Sequence, residues 1–408
     1  MKDNQAKYPQ LRFKGFTDPW EKRTLGQTTT KAKSYSLSRD VERDHETGYR
    51  YIHYGDIHTG VADIVTEHTK LPNIEPANYD ELRVNDLVVA DASEDYQGIA
   101  EPAVVVGLPT HLVAGLHTIT LRPSSASSLY LYYLLHTDSF KHFGYQMGTG
   151  LKVFGISWSN LSKFTFMIPS RPEQEMIVKL IESVDNLIAV NQRKLAKLKE
   201  LKQGYLQKMF PQNGSKFPQL RFAGFADAWE QRKLGDLADF NPKSVLPETF
   251  EYVDLESVVG TDIISHRLEH KDSAPSRAQR LAQKGDVFYQ TVRPYQKNNC
   301  IFDKLDNDWV FSTGYAQLRP KKDSYFLLVL LQNNSFMRKV LGRCTGTSYP
   351  AINSKDLAQI KVSISDSIDE QKKIGNLFRN IDNTITLHQR KLEKLQELKK
   401  GYLQKMFC

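Results

Sequence analysis

The amino-acid sequence predicts an α+β protein. We expect two mixed α/β domains separated by two long antiparallel coiled-coil helices, with an internal pseudo-two-fold repeat. Three observations predict this. The segment Asn191–Phe210 recurs as His388–Phe407 with sixteen of twenty residues identical. The segment Pro9–Gly26 recurs as Pro218–Gly235 with thirteen of eighteen identical. Between the repeats lie two dissimilar stretches in which strand-like and helix-like patterns alternate.

Both repeated helices carry apolar residues at alternating steps of three and four, which is the heptad pattern of a coiled coil. The residues expected to pair the helices are Ile181, Val184, Ile188, Leu195, Leu198, Phe378, Ile381, Ile385, Leu392 and Leu395. Polar residues interrupt both patterns at matching positions, as Asn191/His388 and Lys202/Lys399. Such interruptions cost stability and fix register, so we interpret them as devices that hold the two helices in one alignment.

The repeats predict four segments in chain order. We expect a first mixed domain at 1–169, a central long helix with its link at 170–214, a second mixed domain at 215–366 and a C-terminal long helix at 367–408. Equivalent strand-like runs lie at 86–90 and 286–290, and equivalent helical runs at 129–142 and 325–340. The apolar and aromatic runs 129–135 and 325–331 are predicted to be core.

Composition restricts the function classes. A net charge of +8 and a pI near 9.0 favour a polyanionic partner. Much of the charge lies in the repeated helix ends, which are either a solvated face or a shared surface for nucleic acid or protein. Three scattered cysteines and an N-terminus without an apolar core predict a reducing, cytoplasmic location. No apolar run is long enough to cross a membrane.

Several features of this sequence resemble the sequence of the specificity (S) subunit of type I restriction-modification systems. The resemblance lies in the opening blocks with Trp20–Glu21 and Trp229–Glu230, the helix starts Glu173–Gln174 and Glu370–Gln371, and the repeated helix ends. It covers essentially the whole chain. It implies a non-catalytic subunit whose two target-recognition domains each read one half of a bipartite, asymmetric site in double-stranded DNA, while the helices set the spacer.

The same resemblance implies partners. Two methyltransferase (modification) subunits would dock on the helices, and two motor-nuclease (restriction) subunits would join them. S-adenosylmethionine, ATP and Mg would be used in those partners, with no cofactor in this chain. The sequence agrees, because it contains no phosphate loop, no glycine-rich cofactor loop and no (N/D)PP(Y/F) motif. Its nearest candidate, Asn241–Lys243, lacks the aromatic residue that would hold a flipped base.

Three pairs of segments are candidates for DNA contact. They are 290–299 with 91–97, 343–349 with 148–152, and 28–39 with 241–244. They combine base-reading side chains, positive charge and glycines. The residues expected to bind DNA are Lys31, Lys33, Ser34, Tyr35, Ser93, Tyr96, Gln97, Gly150, Lys152, Lys243, Ser244, Gln290, Arg293, Tyr295, Gln296, Lys297, Asn298, Arg343, Thr345, Ser348 and Tyr349. An ordinary exposed loop or turn explains each segment equally well.

No metal site is expected. The spacing of His53 and His58 is not one that metal ligands commonly have, so we interpret them as surface or turn residues. Two other functions stay open at this point. One is a single-chain pseudo-dimeric DNA-binding regulator that acts without catalytic partners, and the other is an enzyme that carries its own DNA reader.

Overall fold

The structure is a computed structural model, and it describes residues 8–95, 98–150, 153–212 and 214–407. The described chain forms two compact units. Unit 1 comprises residues of Met1–Asn191 and Lys391–Cys408, and unit 2 comprises Gln192–Arg390. Each unit therefore contains one mixed α/β domain together with a section of each long helix.

The elements of unit 1 follow the predicted alternation of strands and helices. The strands are β1 Glu21–Thr24, β2 Thr29–Ala32, β3 Glu42–Arg43, β4 Tyr49–Ile52, β5 Ile64–Val65, β6 Asn73–Ile74, β7 Leu87–Ala90, β8 Ala92–Ser93, β9 Pro102–Val105, β10 His111–Ala114, β11 Thr118–Pro123, β12 Phe154–Gly155 and β13 Thr165–Ile168. The helices are α1 Leu25–Thr28, α2 Tyr54–His58, α3 Ser128–Leu134, α4 Asp138–Met147, α5 Trp158–Leu161 and α6 Arg171–Lys208, with a 3-10 turn at Arg39–Val41.

Unit 2 repeats this order. Its strands are β14 Glu230–Lys233, β15 Ala238–Phe240, β16 Thr249–Val253, β17 Val258–Val259, β18 Asp262–Ile263, β19 Arg267–His270, β20 Ala278–Leu281, β21 Val287–Gln290, β22 Cys300–Ile301, β23 Trp309–Ser312, β24 Tyr315–Pro320 and β25 Lys361–Ile364. Its helices are α7 Leu234–Leu237, α8 Ser324–Gln332, α9 Asn334–Leu341, α10 Ser354–Ala358 and α11 Ile368–Lys405, with a 3-10 turn at Pro294–Gln296.

Equivalent sheets form in the two units. In unit 1 the strand orders are β2-β11-β7-β9-β5, β10-β4-β6-β3, β1-β13 and β12-β8. In unit 2 they are β15-β24-β21-β22, β19-β16-β23-β20, β14-β25 and β17-β18. The strands β7 and β21 each pair antiparallel with the strand that ends in Leu-Arg-Pro, β11 or β24. The predicted fold class, two mixed α/β domains each followed by a long helix, is confirmed.

Each central strand begins next to a buried carboxylate. Asp86 precedes β7 and accepts hydrogen bonds from Arg122 Nε and NH2 at 2.8 and 2.7 Å. Asp286 precedes β21 and accepts from the same two atoms of Arg319, each at 2.9 Å. Both aspartates are 1% exposed. A bidentate guanidinium satisfies a buried carboxylate well, so each pair anchors its strand in the sheet.

The helical runs expected at 129–142 and 325–340 are not single helices. Each divides in two, because Thr137 and Asn333 cap a second helix. The Thr137 side chain accepts from Phe140 N, and the Asn333 side chain accepts from Ser335 N. A cap residue has an extended backbone, which interrupts the first helix. The runs 129–135 and 325–331 are almost entirely buried, as predicted.

The two long helices each contain 38 residues, about 57 Å at 1.5 Å per residue. In unit 1 Ile177 at the start of α6 belongs to the core against which Tyr402 at the end of α11 packs. In unit 2 Ile374 at the start of α11 belongs to the core against which Tyr205 at the end of α6 packs. The helices therefore pair antiparallel within each unit. No helix among the described residues is long and apolar enough to span a membrane.

The opening block of each unit is held to the first turn of its long helix. Arg12 donates to both oxygens of Glu173 at 2.7 and 2.8 Å, and Trp20 Nε1 donates to the same carboxylate at 3.2 Å. Arg221 donates to both oxygens of Glu370 at 2.6 and 2.8 Å. The two glutamates are 1% and 0% exposed. Equivalent ion pairs thus join equivalent segments of the repeat.

Candidate nucleic-acid interface

In unit 2 two of the three predicted segments are joined after the carboxyl end of β21. Arg293 N donates to Pro350 O at 2.7 Å, and Val292 forms an isolated bridge with Ala351. This joins the loop 291–299 to the segment 343–351. The third segment, 241–244, contacts the start of α10, where Asn241 Nδ2 donates to Ser354 Oγ at 2.9 Å.

Arg293, which is half-buried, stacks on the exposed ring of Tyr349. The Arg293 guanidinium lies 4.2 Å from the centroid of the Tyr349 ring. Arg293 has φ = +52°, so the loop turns sharply there. Tyr349 is 63% exposed and Tyr295 is 50% exposed. A guanidinium that stacks on an exposed aromatic ring is held in position to donate to a guanine edge or to a phosphate.

Other residues expected to bind DNA instead hold the loop in shape. Gln290 is 2% exposed, and its Nε2 donates to Gln296 Oε1 at 2.8 Å. Lys297 Nζ donates to Gln332 O at 2.9 Å and to Asn334 Oδ1 at 2.6 Å, and burial lowers the pKa of Lys297. These contacts leave Gln290 and Lys297 less available to DNA than the sequence suggests.

The remaining predicted residues of unit 2 differ in whether they make hydrogen bonds within the protein. Asn298 Oδ1 accepts from Gly260 N at 2.9 Å. Arg343 donates to Asp356 O at 3.3 Å from an exposed position. The other predicted residues on these segments are exposed: Lys243, Ser244, Thr345 and Ser348. The predicted interface of unit 2 is therefore centred on Arg293 and Tyr349, with exposed hydroxyl and basic side chains beside them.

In unit 1 two of the three predicted segments meet in the same way. Strand β8, which contains Ser93, pairs with β12, and Thr149 forms a bridge with Gly155. Ser93 is 4% exposed, and its Oγ accepts from Asp95 N at 3.3 Å. Gly150 is exposed and has φ = +130°. Tyr96, Gln97 and Lys152 lie outside the described residues.

A cleft of about 650 Å³ opens beside this loop. Its lining includes the bases Arg39, His53, His58 and Lys141 and the acids Glu94, Asp95 and Glu101. Arg39 is the last residue of the predicted segment 28–39, whereas Lys141 lies outside every predicted segment, because its separation from the loop in the chain carries no signal. The Arg39 guanidinium is already paired with Glu42 at 2.6 Å and Asp56 at 2.8 Å.

The third predicted segment of unit 1 has different neighbours. Tyr35 Oη accepts from Asp80 N at 2.6 Å, and Ser34 Oγ lies 3.1 Å from Thr120 Oγ1. Lys33 Nζ lies 3.9 Å from Asp80 and 4.8 Å from the Tyr35 ring centroid. With exposed Lys31, this segment lines a groove of about 740 Å³ with residues 79–84. Of this segment, Arg39 lines the cleft beside the 91–95 loop, whereas residues 31–35 lie against residues 79–84.

His53 and His58 differ in exposure. His53 is 6% exposed and caps α2, where its side chain accepts from Gly55 N. Burial lowers the pKa of His53. The expectation of a surface position is therefore wrong for His53, although the expectation of a turn is confirmed. Among the described residues no cluster of His, Cys, Asp and Glu could hold a metal ion.

The residues predicted to pair the helices are those with reduced exposure. Ile181, Val184, Phe378 and Ile381 are buried. The other six are half-buried: Ile188, Leu195, Leu198, Ile385, Leu392 and Leu395. Apolar residues outside the predicted pattern remain exposed: Leu187 47%, Val190 39%, Leu201 43%, Leu387 66% and Leu398 43%. The long helices therefore have one covered face and one open apolar face.

Comparison with known proteins identifies relatives of the whole chain. The family model described as type I restriction modification DNA specificity domain matches residues 17–200 and 226–397. The chain is 23% identical over 364 residues to the putative type I restriction enzyme MjaX specificity subunit of Methanocaldococcus jannaschii, covering 83% of each. It is 20% identical over 400 residues to the type I restriction enzyme MjaVIII specificity subunit of the same organism, covering 94% of this chain and 91% of that one.

Solved structures share the fold. The type I restriction-modification S subunit from M. genitalium superposes with a TM-score of 0.62 at 16% identity, covering 98% of this chain and 99% of that chain. A chain from a structure of complex assembly and conformational transition in the type I R-M system gives a TM-score of 0.54 at 17% identity, covering 95% and 97%. At these identities the likeness supports the fold.

Proposed function

The chain belongs to the family of type I restriction-modification DNA specificity domains, and on that premise we propose that each of its two domains reads one half of a split, asymmetric sequence in double-stranded DNA. It is a specificity subunit with two target-recognition domains. The long helices set the length of the unread gap between the half-sites. The chain has no catalytic activity of its own.

One observation carries this proposal: the two units share their framework contacts but differ at the loops that follow equivalent strands. The ion pairs Arg12–Glu173 and Arg221–Glu370 match. The loop after β21 presents Arg293 with Tyr349, whereas the loop after β7 presents Glu94 and Asp95. Different donors and acceptors select different bases, so two such surfaces read two different half-sites.

The open apolar face of the helices supports partner binding. Val190 and Leu387 are equivalent in the repeat, as are Leu201 and Leu398, and all four are exposed. Exposed apolar side chains on a helix are typical of protein interfaces. We assign this face to two methyltransferase subunits, and two motor-nuclease subunits complete the complex. These partners use S-adenosylmethionine, ATP and Mg, and the complex works in the cytoplasm, where its DNA is.

The decisive experiment is a methylome of a host that expresses this chain with its cognate methyltransferase subunit. We expect methylated adenines in one bipartite motif with two unlike half-sites and one gap length. A host with the methyltransferase alone should lack the motif. A continuous motif, a palindrome with identical halves, or methylation by the purified chain without its partner would contradict the proposal.

The docking face has its own test. Leu387→Glu and Val190→Glu should reduce the methyltransferase that co-purifies with the chain, because burying a carboxylate in an apolar interface costs several kcal/mol. Gln396→Glu is the matched control, because Gln396 is an exposed polar residue of the same helix α11 that lies two and a half turns from Leu387 and therefore on the opposite side of the helix. Equal recovery of the methyltransferase with all three variants would place the docking site elsewhere.

A further inference from the structure

Each long helix has a lysine in its mostly apolar pairing face, and each lysine meets an aspartate of the other helix. In unit 1 Lys399 Nζ lies 2.7 Å from Asp185 Oδ1. In unit 2 Lys202 Nζ lies 2.6 Å from Asp382 Oδ1. The four side chains are 14% to 30% exposed. Exposed ion pairs contribute little to stability. Because these pairs are partly buried, a charge that loses its partner here costs more free energy than it would at the surface.

A tyrosine from the α/β domain completes each pair. Tyr133 Oη donates to Asp185 Oδ2 at 3.0 Å, and Tyr325 Oη donates to Asp382 Oδ2 at 2.8 Å. Burial raises the pKa of both tyrosines, so both remain protonated donors. Each carboxylate therefore joins three elements: a domain helix, its own long helix and the other long helix. We refer to the two sets as the Tyr–Asp–Lys clusters.

The two tyrosines come from different turns of their helices. Helices α3 and α8 begin at Ser128 and Ser324, and Tyr133 is the sixth residue of α3 whereas Tyr325 is the second of α8. Four residues are about one helical turn, so both positions lie on the same side of the helix. The two domains have dissimilar sequences, yet each places a tyrosine hydroxyl on the equivalent aspartate, from positions one helical turn apart.

The clusters distinguish one register of the helix pair from its neighbours. Asp185/Asp382 and Lys202/Lys399 share the 197-residue offset of the repeat, so both pairs belong to one alignment. A slip of one heptad would set Asp185 against Leu392 or Met406. It would set Asp382 against Leu195 or Met209. A carboxylate that faces an apolar side chain in a partly buried seam is strongly unfavourable, whereas the apolar positions alone accept any heptad shift.

We propose that the two Tyr–Asp–Lys clusters are the residues that restrict this subunit to one gap length. They hold the helices in one register and attach each reading domain to that register. This inference deepens the proposed function and rests on it. The clusters are positioning residues: they act on DNA selection through the placement of the domains, without touching DNA.

The test replaces the four charged residues together. The variant Asp185→Leu, Lys202→Leu, Asp382→Leu and Lys399→Leu removes the charges of both clusters and leaves Asn191 and His388 unchanged, and such replacements of buried ion pairs commonly keep stability. The probes are oligonucleotides that carry the half-sites defined by the wild-type methylome, with the gap changed by one to three base pairs. A slip of one heptad corresponds to about 10 Å, or about three base pairs.

We expect the four-leucine complex to recognise the same half-sites but to methylate the altered-gap probes about tenfold faster, relative to the native gap, than the wild-type complex does. A merely structural role would lower activity on all probes alike. Methylation of only the native gap by an active four-leucine complex would overturn the proposal, and so would a change in either half-site. Absence of any bipartite motif with the wild-type complex would instead overturn the proposed function.

Two further variants keep the test decisive if the four-leucine chain fails to fold. Tyr133→Phe with Tyr325→Phe removes only the hydroxyls and should widen gap acceptance by a smaller factor. The charge exchange Asp185→Lys, Lys399→Asp, Asp382→Lys and Lys202→Asp restores opposite charges in the same register and should keep one gap. Unchanged gap selection by the phenylalanine variant, or wide acceptance by the exchanged variant, would contradict the assignment.

Discussion

Strands β7 and β21 occupy equivalent places in their sheets, yet the loops that follow them differ in charge and packing. The loop after β7 contains the exposed carboxylates Glu94 and Asp95, and the loop after β21 contains Arg293 stacked on Tyr349. At the opposite end of each strand a buried aspartate accepts two hydrogen bonds from an arginine, Arg122 in unit 1 and Arg319 in unit 2. The difference teaches that the framework determines where a reading surface lies, while a few loop residues determine what it can read.

The largest expected effect concerns the framework ion pairs that both units share. Glu173→Gln and Glu370→Gln each remove a buried carboxylate from a half-buried guanidinium, so each should destabilise its own unit by about 3 kcal/mol. Hydrogen exchange at β1 and at β14 measures the two units separately. Glu175→Gln, at an exposed ion pair in the same helix α6, is the control and should change stability by less than about 1 kcal/mol. Unequal losses in the two units would show that the frameworks are not equivalent.

A second prediction concerns a place where the frameworks differ. Gly375 on α11 corresponds to the buried Val178 on α6. A Cβ at Gly375 would lie 2.5 Å from Asp323 Oδ1 and 3.0 Å from Phe326 N. Gly375→Val should therefore displace the cap of α8 and cost about 1–3 kcal/mol in unit 2 alone.

The matched control for that substitution is Gly204→Val. Gly204 lies inside α6, and a Cβ there would have no atom within 4 Å. We expect unfolding by urea to be unchanged or slightly shifted toward higher stability, since valine favours a helix more than glycine does. A loss at Gly204 as large as at Gly375 would show that close packing is not the cause.

The third prediction tests the reading surfaces themselves. Arg293→Ala removes the guanidinium beside Tyr349 and should relax one position of the half-site read by unit 2, by about 1–3 kcal/mol of discrimination. The half-site read by unit 1 should be unchanged in the methylome. Lys284→Ala removes an exposed charge at the opposite end of β21 and should change neither half-site. Equal weakening at all sequences would identify Arg293 as a phosphate contact.

The smallest expected effect is a pH dependence that only unit 1 should show. His136 lies at the turn between α3 and α4, where unit 2 has Gln332, the last residue of α8. Burial lowers the pKa of His136 below its ordinary value of 6.5, so the folded unit binds fewer protons than the unfolded one. This contribution to stability is complete above about pH 6.5 and decreases as the pH falls below it.

Hydrogen exchange at pH 7 and pH 5.5, corrected for intrinsic rates, should show lost protection at α3 and α4 and unchanged protection at α8 and α9. His136→Gln copies the residue of unit 2 and should reduce the difference, leaving the part that the buried His53 contributes in unit 1. The same acid sensitivity in both units, or an undiminished difference in the variant, would exclude His136 as a source.

Much of the fold could be predicted because its signals are local or repeated. The heptad pattern predicted which helix residues lose exposure, and the apolar runs predicted the core. The interruptions at Lys202 and Lys399 were visible as breaks in that pattern. The division of the predicted helical runs at Thr137 and Asn333 was not foreseen, because a cap residue inside an apolar run gives a weak signal.

The candidate interface was predictable only as a set of segments. The loop 290–299 was identified by its composition, yet Gln290 is buried beneath the loop and Lys297 is tied to Gln332. Composition describes what a side chain can bind and says nothing about which neighbour reaches it first. The stacking of Arg293 on Tyr349 depends on a contact between residues 56 positions apart.

The sequence by itself determined that this chain is a doubled framework with two unlike inserts, because periodicity and repetition are properties of the order of residues. Tertiary structure alone decided which charges meet. Nothing in the sequence around Asp185 and Asp382 indicates that each forms an ion pair with a lysine of the other helix and accepts a hydrogen bond from a tyrosine of the domain. Ion pairs and hydrogen bonds act over a few ångströms, so their partners become defined only when distant segments are packed together.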